Sequence, residues 1–232
     1  NAVATYLRYP ALAKAILPYT EYLLTASALP PRQRELLWLR TAWLARSNYM
    51  WAQRARAARG LGLTEDDLLR IAMGPDAPGW EPFEATLLRA ADELHVDAFI
   101  ADATWRALAA RYDENQLIDV LYGVGEVTMH ADLANTLGIE IEAELLDRLP
   151  AAVPYAPAAR WTRLRLVGGE PRIAPLKPTD PARPGANVFR TFARNLPVDA
   201  LRNAVGGHIR DATSLTPRLR QTLIMRVGVL CR

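Results

Sequence analysis

The sequence predicts an all-α protein, and three observations support that fold class. Apolar residues recur at near-helical spacing through residues 32–60. Capping residues stand before further apolar segments, as at Thr64 and Asp113, and a glycine that can end a helix follows at Gly138. No alternating strand pattern of comparable length is present in the 232 residues.

The helices can be placed in chain order from these signals. The first covers residues 32–60, with Pro30 and Pro31 at its start, where proline is tolerated, and Gly60 at its end. A short helix follows Thr64, and the loop at residues 74–79 separates it from the rest. The remaining predicted helices span about 82–95, 103–111 behind an expected N-cap at Asp102, and 114–137 behind Asp113.

Composition excludes several classes of protein. Half of the residues are hydrophobic and 23% are charged, as in globular proteins. The net charge is only +3 and the arginines are scattered, so we expect no nucleic-acid partner. No apolar stretch is long enough to span a membrane and no leader opens the chain, so we expect no membrane partner and a cytoplasmic location. One cysteine, Cys231, and three histidines argue against disulfides and a metal site.

The chain also contains a partial internal repeat. Residues 187–232 align without a gap on residues 1–46 at an offset of 186, with twelve of the 46 positions identical. Eight of the 17 prolines lie between Pro150 and Pro184, a stretch that cannot form a helix interior. We therefore predict a first repeat at 1–149, a proline-rich linker or arm at 150–186, and the start of a second repeat at 187–232. The second copy is incomplete, since it stops inside a helix, and we expect the parent polypeptide to continue.

Two long segments and the arm resemble a known family. The segments are RQRELLWLRTAWLARSNYMWAQRARAARGLGLTEDDLLRIA and ADELHVDAFIADATWRALAARYDENQLIDVLYGVGEVTMHADLANTLGIE, and the arm contains PRIAPLKP. They are similar to the alkylhydroperoxidase-D (AhpD-like) and carboxymuconolactone decarboxylase family. The resemblance implies an all-α helical domain that assembles into trimers or hexamers of domains, with two domains per chain in tandem members.

The peroxidase branch of that family carries a Cys-x-x-Cys-x-x-x-His motif and a glutamate on the preceding helical segment. Matched position by position, the cysteines fall on Ser47 and Met50, the histidine on Arg54 and the glutamate on Glu35. Serine and methionine cannot form a disulfide, and a guanidinium stays protonated at pH 7. Thiol peroxidase chemistry is therefore excluded for the first repeat.

Eight residues are candidates for the site, and each has a structural alternative. Glu35 is either a site acid or a solvated partner of Arg32. Arg54 and Arg46 either bind a carboxylate or lie at the surface. Tyr49 either binds substrate or packs in the core. His130 is either a pocket base or a hydrogen-bonded core histidine. The three tryptophans form either a pocket wall or a packed core: Trp38, Trp43 and Trp51.

Two functions remain open from the sequence. The first is a cofactor-free, decarboxylase-like lyase acting by acid/base chemistry on a small carboxylated or lactone-type metabolite. In that enzyme Glu35 and His130 are catalytic, while Arg54, Tyr49 and Arg46 bind substrate. The second is a non-catalytic structural role for the first repeat, paired with a second repeat that carries peroxidase or decarboxylase chemistry.

The sequence also leads to expectations about the second repeat and about the assembly of the chain. Gln221 replaces Glu35 in the second repeat, and Cys231 aligns with Ala45 rather than with a motif cysteine, which favours a buried apolar role. We expect self-association, as a trimer of tandem chains or a hexamer-like arrangement, because the apolar helix faces exceed what one copy covers. The arm at 171–186 is expected to lie extended over a neighbouring domain.

Overall fold

The computed structural model describes residues 5–145, 149–155, 172–178 and 187–230, with the side chains of 187–189 and 228–230 left out. These residues form helices and no strands, which confirms the all-α prediction. The helices are α1 (Pro10–Thr25), α2 (Pro31–Leu44), α3 (Asn48–Gly60), α4 (Glu65–Met73), α5 (Pro82–Asp97), α6 (Asp102–Ala109), α7 (Glu114–Leu137), α8 (Asn187–Phe192), α9 (Leu196–Gly207) and α10 (Pro217–Leu230), with a π-helical turn at His208–Ala212. Contacts divide the chain into two units, the first holding α2–α7 and the second holding α1 and α8–α10.

Helix α2 is the central element of the first unit. Its residues from Glu35 to Trp43 are all buried, since α3, α4, α5 and α7 pack around it. A helix buried on every side has no polar face, so any charged side chain it carries needs a partner from a neighbouring helix. Glu35 and Arg40 are the two charged residues in that buried run.

The prediction of a single helix over 32–60 is wrong, because the helix is interrupted between Leu44 and Asn48. Arg46 adopts a left-handed backbone conformation with φ 54°, which ends α2. The Ser47 side chain then accepts a hydrogen bond from the Met50 backbone N–H and caps α3. Ser47 was the available sequence signal of this break, because serine is a preferred N-cap residue. The apolar spacing continues across Ser47, so periodicity alone predicted one helix.

The capping predictions are confirmed at three positions and wrong at one. Thr64 and Asp113 each form a capping box, with Asp67 and Gln116 respectively, and Gly138 ends α7 with φ 62°. Asp102 is the first residue of α6 rather than its N-cap, which is Ala101. An acid in the first turn still stabilises the helix, because the helix dipole is positive there.

Arg40 ties three helices of the first unit together. Its Nε and Nη2 atoms donate to both carboxylate oxygens of Asp92 on α5, at 2.6 and 3.1 Å. Its Nη1 donates to the carbonyl oxygens of Ile71 and Ala72 at the end of α4. The guanidinium lies against Gly74, where a side chain would meet it. Each of the three guanidinium nitrogens of this buried cation therefore donates to a fixed acceptor.

The second unit is built around the pairing of α1 with α9. Val198 of α9 is fully buried, and the Tyr9 ring meets His208 edge to face at 5.2 Å. The described part of the arm, residues 172–178, is extended and contacts the helix that follows it. The Leu176 backbone N–H donates to the Arg190 carbonyl at 3.1 Å, and the Arg190 side chain donates to the Leu176 carbonyl. Residues 156–171 and 179–186 of the predicted linker or arm, and Cys231, lie outside the described residues.

Replacing Arg40 by leucine should lower the free energy of unfolding by about 3–5 kcal/mol, since Asp92 and two carbonyl groups lose their partner. Urea denaturation measures the loss. The control is Arg89→Leu, which removes an exposed ion pair with Asp76 and should cost less than about 1 kcal/mol. Equal losses for the two variants would contradict a special role for Arg40.

Candidate functional site

The candidate site is centred on the carboxyl group of Glu35. Its side chain is 1% exposed, and Oε1 lies 3.5 Å from Nη1 of Arg54 and 3.6 Å from Nη2 of Arg34. Its second oxygen, Oε2, is also buried and has no hydrogen-bond partner among the described residues. A buried carboxylate oxygen without a donor is costly, so this atom is the first place to look for chemistry.

Trp38 lies beside the two arginines of the site. The guanidinium carbons of Arg34 and Arg54 are 5.2 and 5.4 Å from the centre of the Trp38 ring. Both distances are within the range for cation–π attraction. Trp38 in turn lies against Gly123 of α7, where a Cβ would come within 2.5 Å of the indole Nε1. Gly123 thus provides the space that lets the indole position both guanidinium groups.

Burial changes the acid–base properties of the pair. Desolvation raises the pKa of Glu35 above its ordinary value of 4.5, although Arg54 and Arg34 act in the opposite direction. Desolvation likewise lowers the pKa of Arg54, although Glu35 counteracts it. A carboxyl with a raised pKa holds a proton more readily near neutral pH, which suits a general acid or base.

The charge of the cluster favours an anion. Two guanidinium groups face one carboxyl, and Nε of Arg34 and Nε of Arg54 are buried without a hydrogen-bond partner in the described structure. The side chains of these arginines are 12% and 14% exposed, so solvent reaches the edge of the cluster. Guanidinium N–H groups of this kind bind carboxylates in a defined orientation.

Two sequence-predicted substrate residues have other partners. The Tyr49 hydroxyl donates to Glu142 at 3.1 Å, and Gln53 donates to the same carboxylate at 2.7 Å. Arg46 lies at the end of α2, with its guanidinium 5.3 Å from the centre of the Trp43 ring and 4.6 Å from that of Tyr155. The contacts described for these two residues are therefore with Glu142, Trp43 and Tyr155.

His130 is paired within its own helix. Its Nδ1 lies 2.9 Å from the backbone carbonyl of Glu126 and 3.2 Å from Oε1 of the Glu126 side chain. Because both atoms are acceptors, we place the ring proton on Nδ1. This is the geometry of the hydrogen-bonded core histidine.

The residues at the lost redox positions have structural contacts. Ser47 is fully buried and caps α3, and Met50 provides the backbone N–H that the cap receives. Arg54 alone belongs to the Glu35 cluster. The rings of Trp43 and Trp51 pack edge to face, with their centres 6.2 Å apart. Trp38 instead lies beside Arg34 and Arg54.

Sequence reasoning missed Arg34 and Gly123 of the site, and it missed Glu126, the partner of His130. Arg34 stands next to Glu35 and one helical turn before Trp38, so helical spacing alone would have placed its guanidinium near the indole. Gly123 and Glu126 carry no such signal, since only the packing of α7 on α2 places the glycine against Trp38.

The described helices define an AhpD-like all-α protein with a buried acid between two arginines. Residues 10–93 match the model of the carboxymuconolactone decarboxylase family, the family that the sequence resembles. A crystal structure of a protein of unknown function from Agrobacterium tumefaciens, named as a candidate antioxidant defence protein AhpD, is similar in fold. It has a TM-score of 0.56 and 18% identity, covering 60% of this chain and 96% of that one. Comparison with curated proteins gives no significant match.

Two further findings concern membranes and metals. None of the described helices is long and apolar enough to cross a lipid bilayer. No group of three or more potential metal-ligating histidine, cysteine or acidic side chains forms within the described ranges.

Glu35→Gln should change how stability depends on pH. A carboxyl with a raised pKa in the folded state binds its proton more tightly there, so folding loses stability as pH rises from about 4.5 through the raised pKa. The glutamine variant lacks this loss. Its free energy of unfolding relative to wild type should therefore increase across that window and level off above it, as measured by urea unfolding at a series of pH values.

Glu81→Gln, which changes an exposed carboxyl, is the matched control and should show no such trend. A stability difference between the Glu35 variant and wild type that stays constant with pH would show that burial does not raise this pKa.

Proposed function

We propose that this protein is a cofactor-free, decarboxylase-like enzyme acting on a small carboxylated or lactone-type metabolite. The observation that supports it is the buried Glu35 carboxyl, with one unpartnered oxygen, beside two guanidinium groups whose Nε atoms are also unpartnered. The match of residues 10–93 to the model of the carboxymuconolactone decarboxylase family supports the reaction class.

The proposed chemistry assigns one role to each charge. Arg54, assisted by Arg34, holds a carboxylate of the substrate and stabilises negative charge on an enol-like intermediate. When the bond to the departing carboxyl group breaks, carbon dioxide leaves and the electron pair moves onto the adjacent carbonyl to give the enolate. Glu35 then delivers a proton to carbon, and solvent returns one to Glu35.

His130 and Tyr49 take secondary places in this proposal. His130 is assigned a positioning role within α7, where its ring holds Glu126. Tyr49 fixes the wall of α3 through Glu142. Arg46 is proposed to act through packing against Trp43 and Tyr155 rather than on substrate.

A second candidate function is a structural role for the first repeat. The specific observation in its favour is Ser47, which occupies a redox position of the peroxidase branch and serves here as a helix cap. In that case the Arg34–Glu35–Arg54 cluster is a packed ion-pair network, and the chemistry belongs to the second repeat.

Turnover assays distinguish the two. The probes are carboxymuconolactone and related carboxylated lactones, with carbon dioxide release and substrate absorbance as readouts. Glu35→Gln should lower kcat by about 100-fold or more. Arg54→Met should mainly raise KM, by about tenfold or more. Arg54→Lys should raise KM less than Arg54→Met does, because lysine keeps the positive charge. It should not restore the wild-type KM, because lysine lacks the two parallel donors of a guanidinium.

Arg89→Gln, at an exposed ion pair, is the control and should leave kcat and KM unchanged. Unchanged turnover in Glu35→Gln would reject the catalytic role of Glu35. Wild-type protein without turnover of any probe would favour the structural role.

We also propose that the chain self-associates, as a trimer of tandem chains or a hexamer-like assembly. An open groove of about 660 Å³ runs along α7, lined mainly by apolar side chains that include Leu94, Leu121 and Leu133. Leu137, at the end of α7, is 57% exposed. An apolar surface of this kind in a monomer favours association.

Light scattering at micromolar concentration measures the assembly. The expected result is a mass of three chains or a multiple of three, with an interface above about 2,000 Å² per pair. A monodisperse monomer would contradict the proposal.

A further inference from the structure

Helix α10 presents an apolar face that the described residues leave uncovered. Leu219, Leu223 and Met225 are 56%, 53% and 61% exposed, and Ile224 and Val227 are comparably exposed. Large side chains of this kind, concentrated on one 14-residue helix, are unusual at a free surface. The helix therefore has the character of an element that packs against something else.

The internal repeat indicates what kind of packing α10 is built for. Helices α2 and α10 are both 14 residues long, and their first residues, Pro31 and Pro217, are paired at the repeat offset of 186. Leu223 is the counterpart of Leu37, which is fully buried in α2. Helix α10 thus repeats the sequence register of the most buried helix in the first unit.

Two ion pairs join α2 to its main neighbour, α5. Arg32 Nε donates to Glu84 at 2.9 Å, and Arg40 Nε donates to Asp92 at 2.6 Å. The two acids lie eight positions apart on α5, and the two arginines lie eight positions apart on α2. Between them the helices bury apolar side chains such as Leu36, Leu87 and Leu88.

Both arginines that contact α5 are retained in α10. Arg32 recurs as Arg218 and Arg40 as Arg226, and both are exposed. In contrast, the residues of the candidate site are not retained as a set, since Gln221 and Ile224 replace Glu35 and Trp38. What the second copy keeps is therefore the pair of arginines that meets an α5-type helix, with Thr222 between them in place of Leu36 and without the acid at the centre of the site.

We propose that α10 is the docking surface for an amphipathic helix of the α5 type, with an apolar face and two carboxylates eight positions apart. The carboxylates pair with Arg218 and Arg226, and the apolar face covers Leu219 and Leu223. The charge of α10 supports this choice, because the sequence PRLRQTLIMRVGVL contains three arginines and no acid. Two copies of α10 repel one another, and α5 of a second copy already has its acids engaged by Arg32 and Arg40.

The test uses the full chain and a fluorescein-labelled peptide of residues 81–98, which contains α5. A side-chain staple between the positions of Arg89 and Glu93 holds the peptide helical, since isolated helices of this length are marginal in water. Fluorescence anisotropy should show saturable binding. The double variant Arg218→Glu/Arg226→Glu should bind the peptide about tenfold more weakly or worse, because two opposite-charge pairs become like-charge pairs.

The matched control is Arg220→Glu on the same helix, whose counterpart, Arg34, contacts Glu35 and Trp38 rather than α5. This variant should keep wild-type affinity. A peptide with Glu84→Arg and Asp92→Arg should in turn bind the double variant better than it binds wild type, which a fold defect cannot produce.

Three results would overturn the proposal. The first is the absence of peptide binding to the wild-type chain. The second is equal weakening by Arg220→Glu and the double variant, which would indicate general attraction of an acidic peptide to a basic helix. The third is sedimentation showing that the double variant dissociates a dimer of the chain, which would make a second copy the occupant of this face.

Discussion

The first unit depends on one constraint, the burial of charged side chains on a helix that has no solvent-facing side. Helix α2 is enclosed by its neighbours, and it carries Glu35 and Arg40 in its buried run. Each charge is stable there only if a neighbouring helix supplies the opposite charge or a polar group. Asp92 and two carbonyl groups do so for Arg40, and Arg54 does so in part for Glu35.

The two buried charged groups differ in how many of their polar atoms have hydrogen-bond partners. That difference distinguishes a structural ion pair from a candidate reactive group. Arg40 has an acceptor for its Nε, Nη1 and Nη2 atoms, so its surroundings fix it. Glu35 keeps an unpartnered oxygen, and Arg34 and Arg54 keep unpartnered Nε atoms. An incompletely satisfied polar cluster is costly for stability, and proteins retain such clusters where a ligand or a reaction uses the free groups.

The comparison of α2 with α10 shows the same separation within one chain. The positions shared at the repeat offset include the arginines that meet α5, whereas the acid and the indole of the candidate site are replaced. Packing and chemistry on this helix therefore occupy different residues, and one can change while the other is kept.

The sequence by itself determined the fold class, the caps at Thr64 and Asp113, the end of α7 at Gly138, and the choice of Glu35 and Arg54 as separate candidate residues. These follow from local rules of spacing and capping, or from a motif with fixed positions. Tertiary structure decided the break at Arg46 and Ser47, the pairing of His130 with Glu126, and the contact of Gly123 with Trp38 that places the indole beside both arginines. Those features depend on which helices meet and at what distance, and periodicity along one chain carries no information about that distance.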